Sequence, residues 1–255
     1  MTPDPVTPHP VTPRPVTPRT VPHPRRWFMR IARRPARALV RRRFTVRVHG
    51  ADNHPTRGPV VVASNHIGLA DGPLMVAFGP RPVHALTKQE AFTGKLGLLL
   101  SAAGQVPLDR FAPDPGAIRS CLRVLGAGGV VGVFPEGRRG TGDLGRFHRG
   151  AGYLAMVTGA TVVPLTVLGT REPGGSAESW PARGAVVDLV YGRPFTVDAV
   201  PWPRTQARVR QVSLELREHM RTELARALEL TGRTLPGPVD ATELDVDPPT
   251  ALVDD

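Results

Sequence analysis

The sequence predicts one α/β domain: a central, largely parallel or mixed sheet flanked by helices. Three observations predict it. Several short runs are apolar at every position, as strands buried on both faces require, among them Val60-Val61-Val62-Ala63 and Val130 to Phe134. Between these runs lie longer stretches with apolar residues three or four apart, the period of an amphipathic helix. The two kinds alternate along the chain, and alternation of that sort builds layered α/β structure.

The elements follow in order. Residues 1–24 repeat a Thr-Pro-x-Pro-Val pattern too rich in proline for helix or ladder, so a disordered, polyproline-like leader is expected. From Arg25 to Arg43 arginines are interleaved with Trp27, Phe28, Met29, Ile31, Leu39 and Val40; the spacing predicts two short helical pieces broken at Pro35. Such a basic amphipathic segment suits an anionic membrane surface, ahead of the alternative of a solvated helix packed on the body by its few apolar residues. The globular domain is expected over 44–234. Phe44 to Val48 alternates with period two and reads as a strand; Pro59 to Ala63 is the next. A helix is expected to start at Asp71, with Asp as N-cap and Pro73 in its first turn. Val83 to Leu86 is a brief strand. Ala91 to Ala103 is apolar and helical, either lining a site for a greasy substrate or packed in the core.

Asp114 to Gly128 carries Ile118, Leu122 and Leu125 on one stripe and ends in glycines. After the strand at Val130 to Phe134 come a helix over Gly150 to Thr158 and strands over Thr161 to Leu168 and Ala185 to Tyr191. A long helix follows from about Thr205 to Leu230, striped by Val209, Val212, Leu216, Met220, Leu224 and Leu228. Residues 235–255 turn acidic and are expected to form a disordered tail.

Charge and composition narrow the function. Before Phe44 eleven arginines face one acid, Asp4, so this end holds +10 of the formal +11 and the body is nearly neutral. A basic leader on a neutral body points to an anionic lipid or nucleic-acid surface. Few aromatics for base stacking argue against nucleic acid. Cys121 is the only cysteine, which rules out a disulfide framework within one chain and suits a small buried side chain. No apolar run reaches the ~18 residues of a membrane span, and the N-terminus has no apolar secretion signal, so a cytoplasmic body peripheral to the inner membrane face is expected.

The chemistry concentrates at Ser64-Asn65-His66-Ile67-Gly68-Leu69-Ala70-Asp71, where the apolar run at 60–63 stops. A histidine and an aspartate five apart cannot share a helix face but can meet where a strand turns into a helix. The carboxylate then accepts from one imidazole nitrogen and leaves the other to take a proton. Taken alone, Asp71 is as well explained as a helix cap, and His66 as loop surface. Ser64 as an acyl-enzyme nucleophile lacks a Gly-x-Ser-x-Gly elbow, and a metal at His66 and Asp71 lacks an evident third ligand. Phe134-Pro135-Glu136-Gly137-Arg138-Arg139-Gly140 also leaves the carboxyl end of a predicted strand, where open α/β sheets place ligands. Guanidinium groups beside glycine amides suit a phosphate. Gly104 to Arg110 forms a hydrophobic-to-charged edge, and Arg146 to Ala151 puts basic groups before a helix N-terminus.

In order and spacing, "NHIGLAD", "GQVPLDR", "FPEGRRG" and "VVPLTVLGT" resemble the four blocks of the glycerolipid acyltransferases, the 1-acylglycerol-3-phosphate acyltransferase group, over roughly Phe44 to Phe195. The resemblance implies transfer of a fatty acyl group from acyl-CoA or acyl-carrier protein, as co-substrates with no bound cofactor, to the hydroxyl of a lysophospholipid. It further implies His66 as general base and Asp71 as the group orienting it. Arg110 matches the phosphate-binding arginine, Glu136 and Gly137 the acceptor-binding pair, Arg139 the arginine of the third block and Pro164 a structural proline near the donor side. The expected substrate-binding set is Asn65, Arg110, Glu136, Gly137, Arg138 and Arg139, with no metal. Gly68, Arg138 and Gly140 depart from the pattern, and Arg138 adds a cation beside the acceptor. The alternatives are another lipid acceptor, such as a glycolipid or lyso-aminolipid, or a non-enzymatic lipid- or nucleic-acid-binding module built on the basic leader.

Overall fold

The structure, a computed structural model, describes residues 26–240 and Glu243. The proline-rich leader expected over 1–24 lies outside the described residues, as does most of the acidic tail.

Seven strands form one sheet: β1 (Thr45–His49), β2 (Val60–Ser64), β3 (Val83–Lys88), β4 (Val106–Leu108), β5 (Val130–Val133), β6 (Thr161–Leu168) and β7 (Val186–Tyr191). Their order is β1-β7-β6-β2-β5-β3-β4. All neighbours pair in parallel except β6 with β7, so β1 and β7 run against the other five. The helices are α1 (Arg26–Arg41), α2 (Asp71–Phe78), α3 (Gly94–Ala102), α4 (Pro115–Gly126), α5 (Gly150–Thr158) and α6 (Gln206–Thr231).

The wholly apolar β2 serves two cores at once. Val61 and Ala63 face a cluster filled by α4, α5 and α6, while Val60 and Val62 face one closed by α2 and by Ala36 and Val40 of α1. Alternation along a strand with both faces covered is why the sequence there shows no polar residue. The helix caps follow local chemistry: Asp114 accepts from the Ala117 amide at 2.9 Å with Pro115 behind it, and Thr205 accepts from the Arg208 amide ahead of α6.

Three expectations need correction, and one strand had no expectation set for it. Residues 26–41 form one helix through Pro35, not two pieces. Proline removes a single helical hydrogen bond, and side chains on either side of it pin α1 to the body: Arg33 and Arg37 both donate to the Ala77 carbonyl, Arg37 at 2.6 Å, and Arg37 also reaches Gly79 O. Residues 106–108 are a strand; Pro107 is tolerated because β4 is the outermost strand, paired with β3 alone. The apolar stretch 91–103 holds a nine-residue helix that is not core: Leu96, Leu98 and Leu99 are exposed while Gly97 is the buried residue. The tail expected from 235 begins on the body instead, with Leu235 packed against the α6-side core and the Gly237 carbonyl held by Arg171.

Candidate active site

Because β2, β3, β4, β5 and β6 run in one direction, the segments leaving their carboxyl ends emerge along one sheet edge. That edge collects His66 after β2, Arg110 after β4, Glu136 after β5 and Thr170 after β6.

At its centre His66 and Asp71 meet, with imidazole Nδ1 2.8 Å from Asp71 Oδ2. Asp71 is fully buried at the first position of α2; the N-cap is Ala70 rather than Asp71. The carboxylate is thereby free for the loop: Oδ2 also accepts from the amides of Ile67 at 2.7 Å and Gly68 at 2.9 Å, and Oδ1 accepts from the Thr170 hydroxyl. Four donors on a carboxylate sealed from water fix its orientation. With Nδ1 committed to Asp71, the proton belongs on that nitrogen and Nε2 is left as an acceptor. The ring is about one-fifth exposed and stacks on Phe134, centroids 4.0 Å apart, which fixes its plane.

Glu136 is buried beside this dyad, its Oε1 accepting from the His66 amide at 3.0 Å. Burial pushes its carboxyl up to about 8; the Asp143 and Asp71 carboxylates add to that, and the His66 and Gly142 amides oppose it. The side chain is accordingly a neutral acid at pH 7, able to donate as well as accept. Next to it opens a cavity of about 180 Å³ that Arg138, Asp143, Arg146, Pro238 and Val239 also line.

The two loops are laced together. Gly140 N donates to His66 O at 2.9 Å, and a Cβ at Gly142, whose φ is +76°, would sit 2.2 Å from Ile67 Cγ2. Gly137 is required for a similar reason: its φ is +74° and a Cβ would meet the His148 ring at 2.6 Å. Arg217 of α6 donates to the carbonyls of Leu144 and Gly145, both at 2.9 Å, and anchors the far end of the Glu136 loop.

The other expected site residues divide. Arg138 lines the cavity. Arg139 pairs with Glu178 and is not among the lining residues. Arg110 leaves the correct sheet edge but three strands from β2, about 14 Å away at ~4.8 Å per strand, with its guanidinium over the Phe111 ring. Asn65 faces the protein: its carboxamide exchanges two hydrogen bonds with the Val167 backbone, at 2.7 and 3.1 Å, and extends the β2–β6 pairing beyond the strand end. Ser64 is buried and bonds the Asn65 carbonyl. Among the described residues no three side chains of His, Cys, Asp or Glu converge as a metal site. Sequence reasoning gave no role to Thr170, the last residue of the fourth block, nor to the Phe134 ring; Arg171 and Arg217 carried no signal at all.

Comparison with known proteins gives a consistent result. A family model described as Acyltransferase matches residues 45–168. The chain is 32% identical to a 1-acyl-sn-glycerol-3-phosphate acyltransferase of Bacillus subtilis over 59% of its own length and 73% of the relative's. It is 34% identical to a chloroplastic 1-acyl-sn-glycerol-3-phosphate acyltransferase of Arabidopsis thaliana over 52% of its length, spanning only 39% of that protein. The crystal structure of a 1-acyl-sn-glycerophosphate acyltransferase from Thermotoga maritima superposes with a TM-score of 0.60 over 81% of this chain and 79% of that one; at 23% identity this speaks for the fold. The His66–Asp71 edge, the Glu136 loop and all of β2 to β6 fall inside the matched span, and the chain belongs to the acyltransferase family.

Proposed function

We propose that this acyltransferase moves a fatty acyl group from the thioester of CoA or acyl-carrier protein to the free hydroxyl of a lysophospholipid, with 1-acylglycerol-3-phosphate as acceptor and phosphatidic acid as product. The observation carrying the reading is the oriented His66–Asp71 pair beside a cavity walled by Glu136 and two arginines. The printed names of the relatives point to the same acceptor.

The thioester is already activated, so the enzyme must deprotonate an alcohol and hold two substrates in register. Nε2 of His66 takes the hydroxyl proton while Asp71, fixed by Ile67, Gly68 and Thr170, stabilises the imidazolium that forms. The oxygen attacks the acyl carbonyl carbon, the carbon–sulfur bond breaks, and the imidazolium returns its proton to the departing thiolate. General-base help of this kind supplies about 10²–10⁴-fold, and the positioning of the two substrates supplies more. Arg138 and Arg146 hold the acceptor phosphate in the cavity, with the neutral Glu136 carboxyl donating to one of its oxygens. Arg139, engaged with Glu178, stands outside that cavity, so the phosphate role expected of it passes to Arg138 and Arg146.

The protein works at a membrane surface. Among the described residues no helix is long and apolar enough to cross a membrane. Supporting contact with a bilayer, α1 exposes Ile31 and Leu39 among arginines, α3 exposes Leu96, Leu98 and Leu99, and Phe111 after β4 is half exposed.

The test offers purified full-length protein labelled acyl-CoA or acyl-carrier protein with a panel of lysolipids and identifies products by mass. Acylated lysophosphatidate, absent with His66→Ala of unchanged circular dichroism, is the expected result. Turnover surviving in that variant, or transfer confined to a glycolipid or lyso-aminolipid, overturns the mechanism or the acceptor respectively.

A further inference from the structure

Arg171 is buried just after β6, outside the span matched by the family, and bonds only backbone carbonyls from four separate segments. Its Nε donates to Ile67 O at 2.8 Å, one residue from the general base. Its Nη2 donates to Gly140 O at 2.9 Å in the Glu136 loop and to Gly237 O at 2.7 Å; its Nη1 donates to Gly175 O at 3.2 Å and, at 3.5 Å, to Pro238 O. A guanidinium offers five N–H groups in one plane, and here all five point at carbonyls. One side chain thus fixes both loops of the site and the chain beyond α6.

That last segment has two further anchors. Leu235 is packed against the core ahead of it, and Glu243 accepts from the Ala177 amide at 2.9 Å behind it. Between the anchors, Pro238 and Val239 line the same cavity as Glu136, Arg138 and Arg146.

We propose that residues 236–240 are a strap, held by Arg171, that closes the acceptor side of the cavity and selects lysophospholipids by headgroup size, favouring a bare phosphate monoester over phosphodiester headgroups. The inference rests on the acceptor reading above. With the strap in place the cavity is about 180 Å³, and a substituent on the phosphate must run into Pro238 and Val239. Selection by a wall is steric and needs no charge on Pro238 or Val239; the basic groups that line the cavity are Arg138 and Arg146, with Asp143 beside them.

The experiment compares kcat/KM for lysophosphatidate and for lysophosphatidylglycerol of matched acyl chain, using the full chain and three variants: Val239→Gly, Val239→Trp and Arg171→Lys. The unaltered protein is expected to prefer lysophosphatidate. Val239→Gly lowers that preference by about tenfold, the scale on which a pocket discriminates by a small volume change. Val239→Trp raises KM for lysophosphatidate by a similar factor and moves KM for the acyl thioester less than twofold. Arg171→Lys, whose single ammonium cannot span the four segments, shifts the preference in the same direction as Val239→Gly. Since Arg171→Lys can also lower stability, the Val239 pair decides the case on its own, Val239 being a half-exposed position. An acceptor preference unmoved within twofold in both Val239 variants, at unchanged melting temperature, overturns the strap. If the unaltered chain acylates no lysophospholipid, the acceptor reading itself falls and the strap with it.

Discussion

A single carboxylate, Asp71, receives four donors from two parts of the chain, and the most distant is Thr170, ninety-nine residues away. Its hydroxyl bonds the oxygen that His66 does not use, so losing it lets the carboxylate turn. Thr170→Val is expected to lower kcat by roughly tenfold to a hundredfold, the worth of one hydrogen bond to a charged group, and Thr170→Ser to restore most of it; initial rates at saturating thioester measure both. Glu136 gives a pH signature. Its carboxyl titrates near 8 in the folded protein against an ordinary 4.5, so its protonated form favours folding. The stability it contributes is complete below about 4.5 and is lost as pH rises through about 8, by on the order of a few kcal/mol. Thermal melts from pH 5 to 9 are expected to fall with pH in the native protein and to flatten in Glu136→Gln; equal slopes count against the buried acid. Neither residue announces this in the sequence. Glu136 stands out there as an acid beside two arginines, but its neutrality follows from burial against His66, which only the assembled loops produce.

At the scale of elements, β7 carries a buried charge on a strand that otherwise reads as core. Asp188 accepts from His49 Nε2 at 2.9 Å and Arg233 Nε at 2.6 Å, joining the neighbouring β1 and the chain just past α6 to one carboxylate. Burial works against its ionisation, but the two bonds outweigh it and hold the carboxyl below 3.8. The stabilisation is therefore present above the unfolded value and is lost as pH falls through the lower folded one. Asp188→Asn is expected to cost about 2 kcal/mol at pH 7 and less at pH 3, measured by urea unfolding at the two pH values. The same scale shows why elements were legible unequally. Helix α6 matched its periodicity because it buries one stripe, Val209, Val212, Leu216, Met220 and Leu224, whereas α4 buries Ala117, Cys121 and Val124 beside Leu125 and leaves Ile118 and Leu122 only partly covered. The edge strand β4 has three residues, one of them proline, too few for any period to register. In α3 the usual inference from apolar residue to core reverses, because a Cβ at Gly97 would lie 2.3 Å from the Phe92 backbone; only a glycine fits that face, and the leucines turn outward.

For the molecule as a whole, α1 exposes Ile31 and Leu39 and α3 exposes Leu96, Leu98 and Leu99, the residues on which the proposed membrane contact rests. Full-length protein is expected to bind vesicles containing anionic lipid, with binding weakened by salt, since basic side chains contribute about 1 kcal/mol each near such a surface. Leu98→Asp together with Leu99→Asp removes apolar area worth about 2 kcal/mol per leucine and should weaken binding at least tenfold. Arg34→Gln on α1 with Arg42→Gln just past its end, both exposed, should reduce it chiefly at low salt. Vesicle co-sedimentation separates the two effects; binding to neutral vesicles that ignores both pairs of substitutions removes the membrane surface from the reading.

The sequence by itself determined the α/β class, most strand and helix positions, and the pairing of His66 with Asp71, because each depends on residues close in the chain: a period of two or 3.6, a strand end, a loop five residues long. Only the tertiary structure decided what surrounds that pair. Thr170 and Arg171 reach it because β6 lies beside β2 in the same direction, an adjacency set by sheet order rather than by spacing. Asn65 left the binding set because Val167 occupies it, and Arg139 because Glu178 does. Pro238 and Val239 joined the cavity because Arg171 folds the chain beyond α6 back across it. Local patterns record what a residue does to its own backbone, whereas long-range hydrogen bonds and steric walls exist only once strands distant in sequence have been laid side by side.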